Sequence, residues 1–198
     1  MIQFSNQEIA NERLVLDSAT ELYYLGPALT LRNCTLVVKI PAKALVVNQT
    51  HLINCTIEVA RVLKNFRWDH AHLTGCQFKG RFVGNDFGNW REATQASIVD
   101  CDFSSAHVDQ TRFLHCDAQS LRFPPWPCFT IFDPVRRWRD LNALAWPGDI
   151  GPVVIEGYAE RPLSTAAVTY SAPELAKRRG TTPEAIKAVL EKLDGVYY

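Results

Sequence analysis

From Ala96 the chain reads ASIVD CDFSS AHVDQ TRFLH CDAQS LRFPP, a run of five-residue blocks that ends at Pro125. The third place of each block holds Ile98, Phe103, Val108, Phe113, Ala118 and Phe123, all apolar. The first place holds Ala96, Cys101, Ala106, Thr111, Cys116 and Leu121, nearly all small. One small and one large inward side chain, separated by an outward one, is the alternation of a short strand. The remaining two places of each block make a corner. Upstream, AHLTG, CQFKG and RFVGN keep the same frame from Ala71, with Arg81 as the clear offender.

A coarser period surrounds the fine one. LRNCTL (31–36) returns as LINCTI (52–57) and LTGCQF (73–78), each 21 residues on, and later as IVDCDF (98–103) and FLHCDA (113–118). A fixed period of this size marks a solenoid. Five of the six cysteines sit in this context, and no CxxC pair suggests zinc. A free cysteine packs as a small hydrophobe, so these thiols are expected as a stacked core column rather than as redox or metal groups.

On these residues the chain resembles the pentapeptide-repeat family, over about 71–125 and in degraded form over 29–70, but not over the C-terminal third. The resemblance implies a mainly β fold: a right-handed, four-sided parallel β-helix of four to five coils. Coils of 20 or 21 residues would stack Leu36, Ile57, Phe78, Ile98 and Ala118 on one side, beside a small-residue column of Cys34, Cys55, Cys76, Ala96 and Cys116. A second side would hold Leu31, Leu52, Leu73, Ala93 and Phe113, a third Leu45, Phe66, Phe87 and Val108. The last and least regular side would end in Phe103 and Phe123. NDFGNWREATQ (85–95) breaks the frame and predicts a bulge or small loop.

Solenoid ends expose strand edges and need covers. Residues 1–28 are expected to form an irregular first coil or N-terminal cap, 29–125 the β-helix, and 126–198 a small α-helical capping module. Proline cannot donate to a sheet ladder, so Pro124, Pro125 and Pro127 stop the repeats. Asp133-Pro134 reads as the start of a helix over 134–145, and VVIEGYAE (153–160) as a strand; the segment up to Tyr170 lacks a pattern. Ser171-x-x-Glu174 and Thr181-x-x-Glu184 read as capping boxes for helices over 172–179 and 183–193, with Gly180 ending the first. Their spacing matches a helix-turn-helix, but Pro183 and Glu184 would lead into the groove and no arginine follows Arg179. A helical hairpin packed on the solenoid is the expectation.

Composition narrows the function. The 198 residues are 47% hydrophobic and carry 21 basic against 21 acidic side chains, for a formal net charge of zero. Such balance argues against bulk binding to nucleic acid or acidic lipid and against an acidic DNA mimic. The opening MIQFSNQEIANER is polar where a signal peptide would be apolar, and no long apolar run suggests a membrane span, so a cytoplasmic protein is expected.

Candidate chemistry is sparse. Asp69-His70-Ala71-His72 places two histidines at strand spacing, which a metal could use, although a corner followed by an outward residue explains them as well. His107 with Asp109, and His115 with Asp117, fall on outward or corner places. A tight four-sided solenoid has a filled core and no pocket to exclude water. There is no GxSxG, phosphate-binding glycine loop or nucleotide fingerprint, so no catalytic residue, metal or cofactor is assigned and a non-enzyme is expected.

Two surfaces stand out for a protein partner. Arg136, Arg137, Trp138 and Arg139, with Trp126 nearby, combine the residue types most enriched at interface hot spots. The alternative is that Trp138 covers the open end of the solenoid while the arginines stay solvated. The outward places His72, Gln77, Asp102, His107, Arg112, Asp117 and Arg122 form a second surface of mixed charge, suited to one specific protein; substituting Asp102 or Arg112 there should leave stability unchanged within about 0.5 kcal/mol. Degenerate repeats joined to a unique C-terminal module resemble the bacterial immunity proteins encoded beside toxins. That resemblance implies neutralisation of a cognate toxin domain by steric occlusion. The alternatives are a topoisomerase-binding DNA mimic, which has more coils and an acidic excess, and a small enzyme with a site between solenoid and module, around Asp69, His70 and His72. The coil ends and the aromatic-rich 124–146 are where a homodimer would form.

Overall fold

A computed structural model describes residues 1–198 and shows a parallel β-solenoid of about five turns closed at one end by a C-terminal module. The first turn consists of β1 (Ile2–Phe4), β2 (Gln7–Ala10) and β3 (Arg13–Leu16), and the second of β4 (Tyr23–Leu25), β5 (Leu29–Arg32) and β6 (Thr35–Val38). The third has β7 (Leu45–Val47), β8 (Thr50–Ile53) and β9 (Thr56–Val59), and β10 (Leu63–Lys64) opens a fourth side. Then follow β11 (Arg67–Trp68), β12 (Ala71–Thr74), β13 (Gln77–Val83), β14 (Asp86–Phe87), β15 (Ser97–Val99), β16 (Ala106–Asp109) and β17 (Thr111–Leu114). Like sides pair in parallel, in the orders β1-β4-β7, β2-β5-β8-β12-β15, β3-β6-β9-β13, β10-β13-β16 and β11-β14-β17.

The corners explain the residue that precedes each repeated cysteine. Asn33, Asn54, Gly75, Asp100 and His115 all have positive φ, between 49° and 62°. Asn, Asp and Gly reach this left-handed conformation most readily, so the chain turns there and drops the following cysteine inward. Gly80 turns another corner within β13: at φ 101° an added Cβ would lie 2.3 Å from the Val59 carbonyl oxygen. Only glycine lets the two turns approach so closely.

Inside, Cys34, Cys55, Cys76 and Cys101 are buried free thiols. Cys34, Cys55 and Cys76 donate to the carbonyls of Ile9, Leu31 and Leu52 in the turn before, at 3.4, 3.3 and 3.2 Å. Two aromatic columns fill the later turns. Trp68, Phe87 and Phe113 stack at 5.5 and 5.4 Å, and Phe78 stacks on Phe103 at 4.3 Å. Edge-to-face contacts such as Phe78–Phe87 and Phe103–Phe113, both at 5.1 Å, join the columns. Offset-stacked and edge-to-face geometries both satisfy the ring quadrupoles, so the aromatic core is ordered as well as apolar.

The Leu31 and Leu36 columns expected from the sequence hold as far as Phe78, but Phe87, expected over Phe66, sits opposite Trp68, and after residue 87 the threading moves by one side. Leu36, Ile57 and Phe78 share a column, but Phe103 follows them, because Gln77 pairs with Asp102. Ile98 instead sits opposite Leu73, Val108 opposite Phe82, and Phe113 opposite Phe87. Cys101, not Ala96, continues the cysteine column, and Ala93 is exposed. The cause is the irregular stretch after Phe87, which is a loop one block long. Leu73 to Ile98 therefore takes 25 residues, five more than a four-block coil of 20. A five-residue insert keeps the inward–outward alternation in phase while advancing the chain by one side.

At the N-terminal end residues 2–16 take the first-coil form of the two expected. Residues 2–16 already form a turn whose edges are β1, β2 and β3, with Ile2, Phe4, Ile9 and Leu14 half-buried against the core. At the other end β18 (Cys128–Phe132) and β19 (Thr165–Ser171) cover the solenoid. β19 pairs antiparallel with β17 on one edge and β18 on the other, and β20 (Val196–Tyr197) adds to β18. Phe132 and Ala167 finish the solenoid core, so Trp138 does not cover its end. It packs instead in a second apolar cluster with Leu141, Trp146, Ile150 and Leu175. β19 escaped the sequence because six of its seven residues are buried, which leaves no alternation to read.

The module has α1 (Trp138–Asn142), α2 (Ala172–Arg179) and α3 (Pro183–Leu190). α1 is shorter than the expected 134–145, because Asp133 has φ 48° and 134–137 form turns. VVIEGYAE is helical, not extended, over 151–155 and 156–160. Neither capping box forms as read. The Ser171 hydroxyl caps nothing, and its backbone N–H donates to Asp109 instead. For α3 the cap is Thr182, whose hydroxyl accepts from Ala185 N–H at 3.2 Å. Gly180, at φ 63°, ends α2. Burial of Ile186, Val189 and Leu190 turns α3 into the module, and Glu184 and Glu191 remain on its outer side.

Candidate functional site

The one-block insertion that shifts the threading also makes the most distinctive surface feature. Trp90 through Thr94 are all exposed, and Trp90 keeps 41% of its surface open to solvent. Asn89 ties the loop down. Its side-chain Oδ1 accepts from Arg91 and Glu92 N–H at 2.9 and 3.1 Å, and its Nδ2 donates to Asp69 O and Gln95 Oε1. The Arg67 and Arg112 guanidinium carbons lie 5.5 and 5.4 Å from the Trp90 ring centroids. An exposed indole between two cations is held in one orientation by its quadrupole. Arg112 is itself fixed: its Nε and Nη2 donate to the two carboxylate oxygens of buried Asp86, both at 2.6 Å.

Of the outward residues expected to share one surface, Gln77, Asp102 and Arg122 stay side by side, whereas His107 and Arg112 lie on other sides. Asp102 pairs with Gln77 and Arg122, His107 with Arg81, and Arg112 with Asp86, in three different sheets. Asp117 follows at the next corner, where its carboxylate accepts from Gln119 N–H at 3.0 Å. Spaced by five, these four residues travel once round the solenoid, one on each side. Asp102 is occupied by Ser104 N–H at 2.8 Å, and His107 has its Nε2 buried without a partner. Arg112, expected as a free outward residue, belongs to an ion pair with little exposure.

The basic-aromatic segment is likewise divided. Arg137 donates to the carbonyls of Phe132 at 3.2 Å and Gly195 at 3.1 Å, and to that of Asp194, so it fastens the C-terminal strand instead of meeting a partner. Trp126 is half-buried beneath the Lys187 ammonium, 5.4 Å from its ring. Arg139 is exposed and rests on Trp138 at 4.9 Å. Arg136 is exposed and lines a shallow groove with His115, Asp133 and Leu163.

The histidines have other neighbours. His72 stacks on His51 at 4.6 Å, and its Nδ1 lies 3.0 Å from Ser97 Oγ. Burial, and then the His51 charge, lower the His72 pKa. His70 sits at a corner beside Arg67 and Asp69. No group of three His, Cys, Asp or Glu side chains is placed to hold a metal ion.

Sequence reasoning missed Trp90. The available signal was the break in the five-residue frame, since an insertion that interrupts a regular solenoid must leave its surface. No protein-family model, curated protein or solved structure matches the chain. No helix is long and apolar enough to cross a membrane.

Proposed function

We propose that this protein is a pentapeptide-repeat binding module that neutralises a cognate bacterial toxin domain by steric occlusion, with the Trp90 loop as its anchor. The observation that carries the reading is an exposed tryptophan in contact with both Arg67 and Arg112 on the solenoid wall. Tryptophan and arginine dominate interface hot spots, and a pre-ordered side chain loses little entropy on docking. Around the ring Arg67, Arg91 and Arg112 stand beside Asp69, Glu92 and Asp86, with Arg67 paired to Asp69 and Arg112 to Asp86, so the patch is mixed in charge and suits a partner face of complementary mixed charge. The steric mechanism follows from the same geometry: a loop that stands out from one side of a stiff wall can fill or cover a cleft in its target.

The test is affinity capture from the native host, mass spectrometry, and an activity assay of the captured protein with and without this chain. A stoichiometric toxin-type partner, inhibited by the wild-type chain and not by Trp90→Ala, supports the proposal. A topoisomerase as the partner, an empty bait, or inhibition that survives Trp90→Ala overturns it.

A further inference from the structure

A cleft of about 300 Å³ lies where the last turns of the solenoid meet the C-terminal module, and it is lined by Asp86, Arg112, Arg161, Arg179, Thr165 and Tyr170 among others. Its lining charges are three arginines against one aspartate. That aspartate is already used, because both Asp86 oxygens accept from Arg112. Arg161 has no carboxylate within ion-pair distance, and Arg179 reaches Asp149 only at 3.8 Å. Two polar atoms on the wall, Arg179 Nε and Thr165 Oγ1, are buried and have no hydrogen-bond partner. Buried donors without acceptors are rare in folded proteins and point to a missing ligand or water. The hydroxyls of Tyr158 and Tyr170 lie 2.9 Å apart on the same wall. Burial raises both phenols, so they stay neutral and add no negative charge.

We propose that this cleft is a binding site for a small molecule bearing a doubly charged oxyanion, a phosphate monoester or a dicarboxylate, held by Arg161 and Arg179. Guanidinium forks match the paired oxygens of either group, and Arg161 without a carboxylate beside Arg179 with only the 3.8 Å Asp149 contact leaves a net positive charge in the recess. Val153 and Val154 give the rest of the ligand a small apolar wall. The cleft shares Arg112 and Asp86 with the Trp90 contact, but its anion-holding Arg161 and Arg179 are not part of that contact, and the site does not depend on the toxin-neutralising reading.

Isothermal titration at constant ionic strength tests it, with glycerol phosphate and succinate as probes and chloride as the reference. One probe should bind saturably, and which one does so identifies the anion. Arg161→Gln should weaken binding by about tenfold or more, whereas Arg61→Gln, an exposed arginine elsewhere on the solenoid, should leave it unchanged. Arg161 is exposed and its side chain makes no hydrogen bond or ion pair, so the variant keeps the fold, and circular dichroism confirms that. Absence of saturable binding by both probes, or equal binding by Arg161→Gln, overturns the assignment.

Discussion

Asp109 and Arg178 join the solenoid to its C-terminal module through a two-point ion pair: Nη1 and Nη2 of the arginine donate to the carboxylate at 2.7 and 3.1 Å. The aspartate is 1% exposed and also accepts from Ser171 N–H at 3.0 Å, where β19 passes into α2. A buried carboxylate stripped of its cation is left as an uncompensated charge. Arg178→Met should therefore destabilise the protein by about 3–5 kcal/mol in urea unfolding, less if water reaches the half-exposed arginine position. A change under about 0.5 kcal/mol would show that the pair does not hold the module in place.

Trp90 is predicted to matter for binding and not for stability. Trp90→Ala removes an exposed ring, so the urea midpoint should move by no more than about 0.5 kcal/mol equivalent. Affinity for the captured partner should fall by about 2 kcal/mol or more, as expected of a central anchor. Raising salt should change the association rate little, because Arg67, Arg91 and Arg112 are offset by Asp69, Glu92 and Asp86.

Cys116 is the one half-buried cysteine among six, the other five being buried. Burial and the adjacent Asp117 charge push its thiol up to about 12. Only the thiolate reacts, so labelling of the native protein at neutral pH should be slow and should speed up about tenfold per unit between pH 8 and 11. Asp117→Asn removes the negative neighbour, lowers the pKa and should accelerate labelling at fixed pH. Because the folded pKa lies above the unfolded one, this thiol supports the fold fully below about pH 9 and less as pH rises toward 12. Rapid reaction of four or more thiols in the native state would contradict the buried column.

Phe103 lies at the crossing of the two aromatic columns, stacked on Phe78 and edge-on to Phe87 and Phe113. Phe103→Ala should cost about 3–5 kcal/mol by transfer and cavity terms together. Asp102→Ala, its outward neighbour, loses only a contact to Ser104 N–H and should cost under about 1 kcal/mol. Arg112→Ala differs from Asp102→Ala because it leaves buried Asp86 unpaired, and should cost several times more. Equal losses in the two polar variants would argue against the Asp86–Arg112 pair.

Much of the solenoid is legible because its core obeys a local rule. Small and large inward residues at fixed spacing, with Asn, Gly or Asp before the cysteine, determine the strands, the corners and the buried thiols without reference to anything distant. The stop at Pro124–Pro127 and the glycine end of α2 are equally local. Which side each block occupies is not. A five-residue insertion such as the Trp90 loop preserves the alternation while moving every later block by one side, so Phe103, and not Ile98, follows Phe78.

The sequence by itself determined a parallel solenoid with a cysteine column and a helical tail, because short-range alternation and corner conformations are set by neighbouring residues. Only the tertiary structure decided that β19 closes the last turn, that Arg112 and Arg137 are tied to Asp86 and to backbone carbonyls, and that Asp102, His107, Arg112 and Asp117 face four ways. Most of these depend on distant partners, such as Asp86 for Arg112, 26 residues away, and Gly195 for Arg137, 58 residues away, and no local pattern records which distant group a long side chain will reach.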